Sequence, residues 1–296
     1  MLVHLRNGGT SLVLRQTGDT FEIVHWGAAL SDIDEKSLAI AGRAVMHGAL
    51  DVNPGNLILR EHSRGWIGHP ALRGHRSGKS VANWFVCKNV DLQIDQATIT
   101  FEDKTAGLEI SIQYLLDTHG ILKINSKVTN IADGDYTLEH LLNWLPLAPQ
   151  ADEILDFYGH WTKERQPQRR EIGYGLTTRE GFEGRSGHDY TITQIALTKA
   201  TNFNQGEAWS MGVAWSGNNI HHVEKLIDRS KSIGAGEYLL PGEVILAKGE
   251  SYEAPARISF VFLTARKCIA RFDQIWPRRD DNYTWMRSGW QVPSSD

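Results

Sequence analysis

Chemistry-bearing side chains concentrate in three stretches of the chain. The first, Arg60-Glu61-His62-Ser63-Arg64-Gly65-Trp66-Ile67-Gly68-His69-Pro70-Ala71-Leu72-Arg73-Gly74-His75-Arg76, crowds Arg and His around one Trp between glycines. A guanidinium offers a rigid fan of donors that suits sugar hydroxyls or a carboxylate, and an indole offers a stacking face. The alternative is a solvated loop whose arginines pair with nearby acids. The second stretch comprises Gly159-His160-Trp161-Thr162-Lys163-Glu164-Arg165 and Thr178 through Asp189, two dense polar loops that either dock a second surface or form internal salt bridges. In the third, Gly206 through Asn218, Trp209 and Trp215 stand six residues apart. On a strand they would share one face, and core packing is their expected role.

Other chemistries find no support. Neighbouring carboxylates such as Asp133 with Asp135 or Asp280 with Asp281 belong to solvated turns. A retaining sugar hydrolase needs two carboxyls about 5 to 5.5 Å apart across one bond, and no spacing nominates such a pair. The sequence has no G-x-S-x-G elbow, P-loop or dinucleotide fingerprint. The histidines show no H-E-x-x-H spacing, and His221-His222 on a strand would point to opposite faces, so no metal and no cofactor is expected. Cys87 and Cys268 are too few and too far apart for a disulfide scaffold and read as buried free thiols.

The elements that must position these residues belong to a globular chain. Lys and Arg number 31 against 35 Asp and Glu, a net charge of −4, which argues against a nucleic-acid partner. Apolar residues make up 41% of the 296 positions, enough to bury roughly three quarters of the unfolded surface. The longest apolar runs fall far short of the roughly 20 residues of a membrane helix, and the first nine residues lack a signal-peptide h-region. No membrane partner and a cytoplasmic location are therefore expected. Ten tryptophans invite a carbohydrate reading, yet tryptophan is also a large core filler.

Period-two alternation recurs to about residue 263, in Thr20–Trp26, Asp91–Ile94, Ala97–Phe101, Leu108–Leu116, Ile121–Asn130, Trp209–Trp215, Ser232–Tyr238, Glu243–Lys248 and Arg257–Phe262. More than a dozen strands on short turns predict one all-β, two-sheet antiparallel domain over 1–265. Beyond it, Ile269, Phe272 and Ile275-Trp276 fall three or four apart and predict a C-terminal helix that stops before Pro277, followed by an irregular tail to residue 296.

Several motifs in one order carry a resemblance. Gly159-His160-Trp161-Thr162-Lys163-Glu164, Arg185-Ser186-Gly187-His188, Gly206-Glu207, Trp215-Ser216-Gly217-Asn218, Leu240-Pro241-Gly242-Glu243 and Gly249-Glu250-Ser251-Tyr252 resemble the N-terminal domain of the family 36 glycoside hydrolases, the bacterial α-galactosidases, over most of residues 1 to 275. The resemblance implies a large β-supersandwich of the galactose-mutarotase-like type. It also implies a catalytic (β/α)8 barrel elsewhere, whose two Asp residues hydrolyse terminal α-galactosides with retention, so this chain alone is expected to be inactive. A homo-oligomer is implied too, in which a loop of this domain completes a neighbour's sugar pocket. That loop corresponds to Arg60–Arg76, making Arg64, Trp66 and His69 the substrate-contacting candidates. Here Trp66-Ile67-Gly68-His69-Pro70 replaces the family's usual Asp-Phe-Arg pattern. Trp161, Glu164, Arg185 and His188 are the candidates that face the barrel or an interface. Two other readings compete: a stand-alone carbohydrate-binding module, and a mutarotase-like epimerase working by a His and a carboxylate.

Overall fold

A computed structural model describes residues 1–31, 55–79, 82–189, 193–202 and 204–262. In chain order the strands are β1 (Leu2–Asn7), β2 (Thr10–Thr17), β3 (Thr20–Ala28), β4 (Leu72–His75), β5 (Val86–Leu92), β6 (Gln96–Asp103), β7 (Leu108–Leu116), β8 (Leu122–Asn130), β9 (Tyr136–Leu141) and β10 (Asn143–Leu147). There follow β11 (Ala151–His160), β12 (Lys163–Glu171), β13 (Gly175–Gly181), β14 (Thr193–Thr198), β15 (Ala208–Val213), β16 (Asn219–Lys225), β17 (Lys231–Glu237), β18 (Val244–Leu246) and β19 (Ser251–Phe262). All pairings among them are antiparallel.

One layer is a nine-stranded sheet in the order β12-β11-β14-β15-β19-β8-β7-β6-β5. The facing layer is assembled from three shorter sheets, β1-β2-β3, β10-β17-β16-β13 and β18-β9-β4. They close on the large sheet through β17 against β15 and β19, β16 against β14, and β1 against β6 and β7. The sequence dictates this arrangement most clearly in β6, β7 and β8, where every second side chain is buried: Ala97, Ile99 and Phe101, then Leu108, Ile110, Ile112, Tyr114 and Leu116, then Leu122, Ile124 and Val128. Ile99 lies opposite Ile112 and Ile110 opposite Val128, so one register places the whole apolar set on the inner face. Each Ile, Leu, Val or Phe of this set contributes about 1.5–3 kcal/mol by leaving water.

β17 reads Lys231-Ser232-Ile233-Gly234-Ala235-Gly236-Glu237. A Cβ at Gly234 would sit 2.5 Å from the Trp144 ring, so only glycine lets that indole from β10 lie flat on the neighbouring backbone. This close approach shapes the site below.

The all-β antiparallel expectation holds, with four sheets in place of the expected two. Three details differ from the sequence reading. Trp209 is buried on β15, but the strand ends at Val213, and Trp215 follows with 44% of its surface exposed, so the two rings do not share a core face. Lys163 through Arg165 and Thr178 through Gly181 lie on β12 and β13 rather than in loops; their charged residues mask a strand pattern that has little apolar alternation because both strands are sheet edges. Cys87 is half-buried on edge strand β5 rather than enclosed. Cys268, the expected C-terminal helix and the boundary at 265 lie outside the described residues. No helix among the described residues is long and apolar enough to cross a membrane.

Candidate functional site

The Arg60–Arg76 segment is held to the body by buried charges. Arg60, 2% exposed, slides its guanidinium between two indoles, 4.3 Å from the Trp66 ring and 4.2 Å from the Trp144 ring. Its Nη1 faces Glu224 Oε2 of β16 at 3.4 Å. Burial pulls its pKa down to about 9 even with Glu224 opposing. The other oxygen of Glu224 accepts the His69 backbone N–H at 2.8 Å. A Cβ at Gly68 would lie 2.4 Å from Glu224 Oε2, so glycine there allows the segment to come down on the carboxylate. Trp66 Nε1 donates to the His69 carbonyl at 3.1 Å and closes the turn.

A second clasp sits at the segment's start, where a short 3₁₀ turn spans His62–Arg64. Glu61 accepts the Phe85 N–H at 2.7 Å and Arg64 Nε at 2.7 Å. Arg64 uses its remaining arms on Asp19 Oδ1 at 2.7 Å and the Phe85 carbonyl at 2.5 Å, and it covers the Trp84 ring at 4.1 Å. Burial pushes the Glu61 carboxyl up to about 7, against the pull of Arg64 and the Phe85 amide.

Above Trp144 the turn delivers His69 into a group of rings. Its centroid is 5.1 Å from His140 of β9, 4.9 Å from His222 of β16 and 6.0 Å from Trp144. His222 stacks on Trp144 at 5.6 Å with 6° between the planes. Burial, then the neighbouring Arg73 and Arg60, hold His69 down at about 4; burial and adjacent imidazoles hold His140 and His222 at about 3. All three are neutral at pH 7. Among the described residues no group of three His, Cys, Asp or Glu is arranged to hold a metal ion.

The second region is built differently. Strands β11 and β12 form a hairpin whose tip is Trp161-Thr162, with His160 paired to Lys163. Thr162 has φ 71° and Arg165 φ 52°, a left-handed backbone that a β-branched residue rarely adopts. Glu164 steadies the tip by accepting the Thr162 N–H at 2.9 Å, and the backbone N–H bonds hold its carboxyl below the ordinary value. Trp161 is 75% exposed and meets His188 edge-on at 6.2 Å. The loop from Phe182 to His188 continues the ridge: Phe182, 58% exposed, meets Tyr238 at 5.4 Å, and Arg185 between them is exposed. Arg179 of β13 anchors this loop through the Phe157 and Asp189 carbonyls at 3.1 and 2.8 Å.

The structure therefore brings Trp161, Glu164 and His188 together on an exposed surface, with Arg185 exposed on the loop that carries His188. Arg64, Trp66 and His69 it distributes over three settings: Arg64 in the clasp with Asp19, Trp66 buried against Arg60, and His69 half-buried among the rings. Trp144, His140 and Glu224 stand outside the three stretches that the sequence singles out, Glu61 stands within one without a role of its own, and His222 bears in the sequence only on metal binding. The one available signal was local, Glu61 three residues before Arg64. Glu224 and Trp144 reach the site only through strand pairing.

Residues 19–247 match the family model described as the glycosyl hydrolase family 36 N-terminal domain. The alpha-galactosidase of Escherichia coli is 31% identical over 234 residues, 79% of this chain and 33% of the relative. Alpha-galactosidase 2 of Hypocrea jecorina is 25% identical over 201 residues, covering 67% and 25% of the two chains. The chain thus spans about a third or less of the length of these curated relatives. Among solved structures, the GH36 alpha-galactosidase AgaA A355E D548N of Geobacillus stearothermophilus in complex with raffinose superimposes with a TM-score of 0.78 at 19% identity, over 89% of this chain and 41% of that one. The alpha-galactosidase of Lactobacillus brevis gives 0.75 at 17% identity, over 92% and 41%.

Proposed function

This chain belongs to the glycosyl hydrolase family 36 N-terminal domain family, and from that premise we propose that it acts as the non-catalytic β-domain of an α-galactosidase. Its tasks are to pack on a catalytic (β/α)8 barrel, to support a homo-oligomer and to complete a sugar pocket for terminal α-D-galactosides, which the assembled enzyme hydrolyses with retention. The observation that carries this reading is the match over residues 19–247 to the family 36 N-terminal domain, in a chain whose described residues fold as antiparallel strands.

The exposed ridge of Trp161, Glu164, Arg185 and His188 is the docking face for the barrel or a second subunit, since apolar rings left open on a folded domain mark interaction surfaces. In the Arg60–Arg76 segment His69 touches the sugar, while Arg64 and Trp66 act through the backbone they hold. The reaction needs neither metal nor cofactor, and the setting is cytoplasmic. The test mixes the purified chain with an α-galactosidase piece that retains its barrel but lacks its own β-domain. Association and a gain in aryl α-galactoside turnover are expected, with none from the chain alone. Turnover by the chain alone, or failure of the two pieces to associate, overturns the reading.

A further inference from the structure

Four buried nitrogens around His69 have no hydrogen-bond partner: Nε2 of His140, Nε2 of His222, Nε1 of Trp144 and Nε of Arg60. Buried polar atoms are nearly always paired, so four orphans on one set of touching side chains are a chemical signature. His222, Trp144 and Arg60 are each 2% exposed, which makes the missing bonds costly.

The identity of each orphan defines what would satisfy it. The Pro70 carbonyl acts on the His140 ring as a hydrogen-bond acceptor would, and with that proton on Nδ1 the orphaned Nε2 is a lone-pair acceptor. Trp144 Nε1 and Arg60 Nε are donors with no acceptor. His222 shares Nδ1 with the Thr178 hydroxyl at 3.0 Å, so its Nε2 takes whichever role the hydroxyl leaves. A lone pair beside N–H donors repels a simple anion, and the Arg60 charge repels a cation. A hydroxyl, which donates and accepts at one atom, fits both. The neutrality of the three imidazoles at pH 7 keeps this mixed set intact.

We propose that His140, His222, Trp144 and Arg60 form a hydroxyl-recognising site, entered past His69, that takes a hydroxyl of a galactoside. His69 is the half-exposed member of the group, and its ring lies 4.9 to 6.0 Å from His222, His140 and Trp144. The proposed site therefore requires the His69 side chain to rotate outward to admit a ligand. The site rests on the proposed function only for the choice of sugar; its hydrogen-bond inventory stands without it. A buried water offers the same chemistry and is the other source the experiment must separate.

The full chain labelled with 15N-histidine is titrated with galactose, melibiose and raffinose, with glycerol as a non-sugar hydroxyl. Expected are saturable shifts of the His140 and His222 Nε2 resonances with dissociation constants near the millimolar range for the sugars, and no saturation by glycerol. Trp144→Phe keeps an aromatic ring against Arg60 but removes one donor, and it should weaken sugar binding at least about tenfold, the equivalent of one lost hydrogen bond of about 1.4 kcal/mol. Should that variant misfold, the wild-type titration still decides. Imidazole signals that ignore every sugar, or a long-lived water contact to the Trp144 indole N–H that persists unchanged at saturating sugar, overturns the proposal. Sugar binding here without association to a barrel piece would sink the proposed function and leave this site standing.

Discussion

The Arg60–Arg76 segment and the Trp161 ridge are similar in sequence, both rich in Arg, His, Gly and Trp, and the fold uses them in opposite ways. In the first, Arg60 is enclosed between two indoles opposite Glu224, and Arg64 covers the Trp84 ring while pairing with Glu61 and Asp19. In the second, the tryptophan projects from a hairpin whose backbone is left-handed at Thr162 and Arg165. Residue type does not distinguish the two settings. What separates them is the partner supplied by distant strands: Glu224 and Trp144 for the one, solvent for the other.

The largest effect expected from this contrast is at Arg60. Arg60→Ala leaves Glu224 buried without its cation and removes the filling between two indoles, so unfolding free energy should drop by about 3–5 kcal/mol in urea titrations. Arg60→Lys should recover little of it, because an ammonium cannot stack as a planar guanidinium does. A loss below about 1 kcal/mol would put the segment in the same class as an exposed ion pair and dissolve the comparison.

Next comes the pH response of Glu61. Its pKa is raised from 4.5 to about 7 in the folded chain, so the native state holds the proton more tightly than the unfolded state does. The contribution is full below about pH 4.5 and is lost as pH rises through about 7, worth at most about 3 kcal/mol. Stability should fall across that window in wild type, and the slope should flatten in Glu61→Gln. A wild-type slope of the opposite sign would mean that Arg64 and the Phe85 amide outweigh burial.

These two cases also mark how far the sequence could be read. Alternation in β6, β7 and β8 exposed the fold class directly, since one face of each strand is apolar. The charged edge strands β12 and β13 hid theirs, because an edge facing water needs no such alternation. The pairs Trp161 with Glu164 and Arg185 with His188 were readable because each spans three residues, although the contact of Trp161 with His188 between them is made by the fold. The histidine group was not: His69, His140 and His222 come from the segment before β4, from β9 and from β16, and only the folded sheets bring them together.

A smaller effect tests whether the ridge stores strain. Thr162 holds φ 71° with a branched side chain in the open. Thr162→Gly should raise stability by about 0.5–1 kcal/mol by relieving that conformation, read as a shift in thermal midpoint. A destabilisation would show that the hydroxyl or methyl makes contacts worth more than the strain.

The smallest effect on stability is expected at Trp161, and it is the sharpest on the contrast. With three quarters of its surface open, Trp161→Ser should change unfolding free energy by less than about 0.5 kcal/mol. If the ridge is a docking face, the same change removes an aromatic anchor of the kind that dominates interfaces and should weaken association by about 2 kcal/mol or more, some thirtyfold in dissociation constant. Sedimentation velocity of the chain alone reports self-association, and co-purification with a barrel piece reports the other partner. A variant that associates normally while losing stability would make Trp161 a structural residue like Trp66, and the two regions would no longer differ in kind.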